Sequence, residues 1–113
     1  MANHRIARAA EDIKREISQI IQGMKDPRVH QGLLSVVRVE LAGDMTHCKV
    51  YVSSVEGLET TKEAVAGLKS GAGFIRREIG ARLGFKNTPE LHFVADNSIE
   101  YSADIAKKLD DLL

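Results

Sequence analysis

Glycines at positions 71 and 73 interrupt what otherwise reads as one long amphipathic helix, and no other feature constrains the fold of this chain as much. Leu58, Val65, Leu68, Ala72, Ile75, Ile79 and Leu83 follow the three- and four-residue spacing of a single helical face. A glycine inside a helix costs roughly 1 kcal/mol relative to alanine. Gly71-Ala72-Gly73 therefore reads as a break, with a second helix restarting at once and carrying Arg76 and Arg77 in its first turns. A helix, a glycine break and a basic helix can present backbone and cations to a nucleic acid. The same pattern also fits a plain turn between two core helices.

The rest of the chain supplies the partners for these helices. Ile6, Ala9, Ala10, Ile13, Ile17, Ile20, Ile21 and Met24 form an apolar stripe over residues 3–23, with Asn3 as a possible cap and Gly23 as the stop before Asp26-Pro27. Arg5, Arg8 and Arg15 fall off that stripe and face water or a partner. Period-two alternation follows twice. Residues 33–42 place Leu33, Val37, Val39 and Leu41 opposite Leu34, Val36, Arg38 and Glu40, and residues 46–55 place Cys48, Val50 and Val52 opposite His47, Lys49 and Tyr51. With Gly43-Asp44 between them, these read as an antiparallel hairpin with one covered face. Thr60-Thr61-Lys62-Glu63 matches a capping box, which starts the interrupted helix near Thr60, and Gly84 ends it. Pro89 opens a third strand, Glu90–Ala95, and an amphipathic helix with Ile99, Ala103, Ala106 and Leu109 runs from about Ser98. The expected architecture is α+β, in the order α-β-β-α-kink-α-β plus a C-terminal helix, as a single domain over 1–113.

Composition narrows the function classes. A 113-residue chain suits one hydrophobic core. No apolar run approaches the roughly 20 residues that span a bilayer, and no apolar block resembles a signal peptide. Cys48 is the sole cysteine, so no internal disulfide forms. A cytoplasmic location is expected. The formal charge is zero, yet residues 1–31 hold six Lys/Arg against four Asp/Glu and residues 62–90 hold six against three. Residues 93–113 reverse this, with two against five, so an acidic tail masks two basic segments.

Catalytic and metal chemistry find little support in this pattern. His4, His30, His47 and His92 sit singly on different elements, apart from the adjacent pair His47-Cys48. Adjacent strand residues point to opposite faces and cannot chelate one ion together. Asp44, Asp96 and Glu100 read as turn and cap residues. Neither a nucleophile elbow nor a phosphate-binding loop is present. No metal, cofactor or enzymatic activity is expected. The cations are better placed. At 100° per residue, Arg77 points away from the Ile75–Ile79–Leu83 face, with Arg76 and Arg82 on its flanks. They can contact phosphates, aided by N–H groups at the restarted helix, or simply form a solvated face. Five aromatic residues leave few for base stacking, which favours recognition of RNA backbone and shape.

The order of elements resembles a type II KH domain whose G-x-x-G loop has been replaced by a tight kink. That kink, followed by Phe74-Ile75-Arg76-Arg77, resembles the bacterial ribosome-binding factor A family. Arg5-Ile6-Ala7-Arg8, Asp26-Pro27-Arg28, Asp44 with Lys49-Val50-Tyr51-Val52-Ser53, Thr88-Pro89-Glu90-Leu91-His92-Phe93 and Asp96-Asn97-Ser98 agree with that family in the correct order. There are departures: Gly71 stands where the family usually has alanine, Gly84-Phe85-Lys86-Asn87 keeps only Lys86 as a cation, and no long charged tail follows Leu113. The resemblance implies a non-catalytic, monomeric factor for the 30S ribosomal subunit and its late precursors. It further implies contact with 16S rRNA, help in maturing the RNA end, and a link to growth in the cold. The RNA-binding residues it points to are Arg5, Arg8, Arg15, Lys25, Arg28, Arg76, Arg77, Arg82 and Lys86, with Gly71, Ala72 and Gly73 as the interhelical kink. Replacing Arg76 and Arg77 together by alanine is expected to weaken binding with folding unchanged. The competing reading is a protein-interaction module that uses the acidic C-terminal helix.

Overall fold

A computed structural model describes residues 2–112. Helix α1 (Ala2–Gln22) leads through a short 3₁₀ turn (Pro27–His30) into strands β1 (Leu34–Leu41) and β2 (His47–Ser54). Helices α2 (Leu58–Ser70) and α3 (Ala72–Leu83) follow, then β3 (Glu90–Ala95) and α4 (Ser98–Leu112). The strands form one sheet in the order β1-β2-β3, with β1 antiparallel and β3 parallel to β2. The α2–α3 pair is thus the crossover that a parallel β2–β3 pairing requires.

Helices α1, α2 and α3 cover one face of the sheet. Ile13, Ile17, Val65, Leu68, Ile75 and Ile79 meet Val36, Cys48, Val50, Val52, Leu91 and Phe93 in one apolar cluster. The opposite face carries Arg38, Glu40, His47, Lys49, Glu90 and His92, all exposed. This is the one-sided burial expected of a half-covered sheet.

Strand β1 departs from simple alternation. Val36 pairs with Val52, and the next pairing is Arg38 with Tyr51, so Val37 is an extra residue, a bulge. The bulge switches parity. Leu34 and Val36 before it, and Val39 and Leu41 after it, all pack towards the core. Unbroken alternation puts Leu34 and Val36 on the wrong face, because a one-residue insertion inverts every following side chain.

Two helix starts also differ from the expected ones. Helix α1 already includes Asn3, so its capping role falls away; the side chain of Asn3 lies outside the described residues, as do those of Glu100 and Ala103. Helix α2 starts at Leu58, one turn earlier than the Thr60 box implies. Gly57 precedes it at φ 111°, a conformation open to glycine. The buried Thr61 hydroxyl donates to the Gly57 carbonyl at 3.0 Å, so Thr61 steadies the first turn from inside the helix.

The break between α2 and α3 is a single residue, Gly71, and Ala72 and Gly73 already belong to α3. The Gly71 N–H donates to the Gly67 carbonyl at 3.1 Å, and the Ile75 N–H to the Gly71 carbonyl at 3.0 Å. The helical ladder therefore almost continues through the kink. A Cβ on Gly71 stands 2.8 Å from Cε of Met24, the end of a flexible side chain. An alanine fits there once that methyl swings aside.

Candidate nucleic-acid interface

Helices α1 and α3 run antiparallel across the sheet. Met24 lies against Gly71 at one end, and at the other Leu83 and Phe85 border the same groove as Ala7, Arg8 and Asp12. Two segments distant in sequence therefore converge at the start of α1: the β1–β2 turn, and the end of α3 with the loop that runs from it into β3. Arg5, Arg76 and Lys86 line one shallow groove there, together with Asp44, Met45 and Thr88. Arg8 and His4 line an adjoining groove that shares Arg5, Met45 and Phe85 with the first. Arg5, Arg8 and Lys86 are exposed, and among the described residues none has an ion-pair partner.

The walls of this groove are held by short polar contacts. The Arg76 guanidinium donates to the Thr88 carbonyl at 2.7 and 3.1 Å and so straps the loop to α3. Asp44 accepts from the Thr46 N–H at 3.1 Å and from its hydroxyl at 2.7 Å. Those bonds, the hydroxyl's first, draw the Asp44 carboxyl below its ordinary range. Met45 adopts φ 62° at the turn tip. The groove thus offers three cations beside one fixed carboxylate, which favours phosphate on the Arg5–Lys86 side and a hydrogen-bond donor near Asp44.

The remaining cations lie elsewhere. Lys25 and Arg28 lie beyond the far end of α1, which at about 1.5 Å per residue is roughly 25 Å from Arg5. Arg28 is tied down: its guanidinium bonds both Asp26 oxygens, one at 2.6 Å, and reaches the Ser70 hydroxyl at 3.2 Å. It docks the 3₁₀ turn on α2. Arg15 pairs with Asp12 at 3.2 Å, and Arg82 lies 3.9 Å from Glu78. Arg77 projects into solvent, with no carboxylate in ion-pair range among the described residues. The nine candidate cations therefore divide between the two ends of α1, its middle at Arg15, α3 and the loop after it.

Two features escape the linear pattern. Phe74 is 46% exposed in the first turn of α3, beside Arg77 and beside Gly73, where an added Cβ meets nothing within 4 Å. A single phenylalanine in a helical period looks like core until the neighbouring turns are placed. The second feature corrects the reading of the histidines as isolated. Parallel pairing sets His47 opposite Glu90 and Lys49 opposite His92, which brings His47 Nδ1 to 3.0 Å from His92 Nε2. Cys48, by contrast, is core: burial pushes its thiol up to about 11.

The chain has clear relatives. A sequence profile described as Ribosome-binding factor A matches residues 5–109. A ribosome-binding factor A of Trichormus variabilis is 47% identical over 111 residues, covering 97% of this chain and 84% of its own length. The crystal structure of ribosome-binding factor A from Thermus thermophilus superposes with a TM-score of 0.70 at 27% identity, over 80% of this chain and 93% of that one. A homology model of the Thermus protein, fitted into a cryo-EM map of a 30S complex, superposes at 0.61 with 28% identity, over 74% and 86% of the two chains. With a family profile spanning almost the whole fold and a relative of such identity, this chain belongs to the ribosome-binding factor A family.

Proposed function

We propose that this protein binds the 30S subunit or its late precursors by contacting 16S rRNA, and that it assists maturation of that RNA without catalysing a reaction itself. The observation that carries the reading is the groove in which Arg5, Arg76 and Lys86, from three separate segments, stand together. The fitting of a Thermus relative into a 30S complex map supports the same target. Binding energy here comes from phosphate contacts and the counterions they release. Selectivity comes from shape. A protein that fits one conformation of a maturing RNA better than its alternatives shifts the population by that difference in affinity. Phe74, with Arg77 at its side and open space over Gly73, offers a stacking surface for an unpaired base on the outer side of α3.

The test is co-sedimentation with 30S subunits across a salt series. Arg5→Ala and Lys86→Ala are each expected to weaken binding and to lower the salt slope by about one. Arg77→Ala is expected to weaken it at unchanged stability. Binding that ignores all three substitutions would falsify the site. Arg76 is a poorer probe than it looked from sequence, because its loss also frees the 84–88 loop.

A second reading has one observation behind it. Ile105, Leu109 and Leu112 of α4 are exposed while its first turn is anchored by the Ile99 N–H to the Ser53 hydroxyl and by the Ser98 N–H to Asp96. Helix α4 then recruits a protein partner, and its deletion abolishes association with ribosomal particles while the groove variants do not.

A further inference from the structure

The outer face of the sheet holds a ligand set that neither RNA binding nor the core uses. Strands β2 and β3 pair in parallel with His47 opposite Glu90 and Lys49 opposite His92, so His47, Glu90 and His92 project from the same side. His47 Nδ1 stands 3.0 Å from His92 Nε2 and 3.7 Å from a Glu90 carboxylate oxygen. One donor atom from each of the three residues lies within 4.8 Å of the other two, and all three side chains are exposed. In a tetrahedral site with metal–nitrogen bonds near 2.0–2.1 Å, two ligand nitrogens stand about 3.3 Å apart. The His47–His92 and His47–Glu90 spacings lie on either side of that value, and the His92–Glu90 pair, within 4.8 Å, closes by rotation of exposed side chains. The imidazole centroids are 5.2 Å apart with the rings tilted by 32°, and both side chains are free to turn their nitrogens towards a shared ion.

We propose that His47, His92 and Glu90 form a site for a divalent transition ion, with Zn²⁺ as the best match and Ni²⁺ or Cu²⁺ as alternatives of the same class. Two imidazoles and one carboxylate are the donors such ions prefer, whereas Mg²⁺ and Ca²⁺ require oxygen-rich sets. The cation on Lys49, cross-strand from His92, adds a further penalty for ions held by charge alone. Because the site opens to solvent, water or a donor from a partner completes the coordination. Its backbone is rigid, since both strands belong to the sheet and the Glu90 N–H donates to the Thr46 carbonyl at 2.9 Å. An ion there clamps the first residue of β2 to β3, one residue from the Thr46 rim of the cationic groove. The proposal rests on the sheet geometry alone and stands whether or not that groove binds RNA.

The test is titration of the full chain with Zn²⁺ by calorimetry, and with Co²⁺ followed by its visible absorption. One ion per chain is expected. His47→Ala and His92→Ala are each expected to weaken binding at least tenfold and Glu90→Gln severalfold, while His4→Ala and His30→Ala change nothing. Backbone amide resonances of residues 46–50 and 90–93 should shift on adding Zn²⁺, and Mg²⁺ should leave them in place. Metal-free melting curves of the variants establish folding, and His47→Gln and His92→Gln replace any alanine variant that fails that check. Absence of Zn²⁺ binding overturns the proposal and leaves the pair as a hydrogen bond between two imidazoles. Zn²⁺ binding that survives loss of both histidines overturns it too, and assigns the ion to other residues.

Discussion

Replacing Gly73 by alanine should stabilise this protein, and the size of the effect follows from its surroundings. Gly73 is the second residue of α3 and has helical geometry, so alanine adopts the same backbone without strain. A Cβ placed there meets nothing within 4 Å, which removes both a clash and any gain from packing. What remains is the backbone term, about 0.5–1 kcal/mol, arising from the greater freedom glycine loses on folding. For a domain of this size that corresponds to roughly 2–6 °C in Tm. Urea unfolding of both proteins measures it as a higher midpoint at unchanged slope. Gly67→Ala is the internal control. Its Cβ falls 3.1–3.3 Å from Val29 Cγ1, Asp26 Oδ2 and Arg28 Cβ, three atoms of a turn locked by its own ion pair. There, overpacking of about 1–3 kcal/mol should outweigh the same helical gain. A destabilised Gly73→Ala, or a stabilised Gly67→Ala, refutes the account of the α2–α3 surface. If Gly73 is open because RNA approaches it, the stabilised variant should also sediment less with 30S subunits.

The remaining predictions concern the core and its polar fasteners. Ile79→Ala removes a fully buried side chain between α3 and the sheet, and should cost about 2–5 kcal/mol in urea unfolding. Arg76→Ala should cost about 0.5–1.5 kcal/mol through its lost bonds to Thr88, while Arg77→Ala should stay within about 0.5 kcal/mol of wild type. The Arg28 guanidinium, and then its backbone N–H, hold Asp26 at about 2 against an ordinary 3.8. A carboxylate lowered on folding contributes stability that is complete above the unfolded value and lost as pH falls through the folded one. Asp26→Asn should therefore be less stable than wild type at pH 7, with the gap narrowing below about pH 4 and closing near 2. Cys48 should resist iodoacetamide at pH 8 until the chain unfolds, because its thiol is buried and raised to about 11; rapid alkylation of the native protein contradicts that placement.

How much of this was legible beforehand depended on the range of the interaction responsible. Helical faces and strand alternation are written in nearest neighbours, so the element order and the core residues Ile13, Ile17, Leu68, Ile75, Ile79, Val50 and Phe93 could be read directly. Local turn chemistry was also readable: Gly84 does end α3, at φ 69°. The Val37 bulge was not, since an extra residue is defined only by the strand it faces. The Thr60 capping box misled because Gly57, free to adopt a positive φ, starts the helix sooner.

Cations were countable from the chain, but not their company. Arg28 and Arg76 look like their neighbours until Asp26, Ser70 and the Thr88 carbonyl are placed beside them. The glycine break shrank to one residue, because helical hydrogen bonds continue almost unbroken through Gly71. By itself, then, the sequence determined the periodic elements, the apolar faces that must meet, and the charges available at the surface. Only tertiary structure decided which of those charges share a groove and that His47 lies against Glu90 and His92. Those juxtapositions depend on strand register and helix direction, which are set by the cooperative packing of the core and not by any local run of residues.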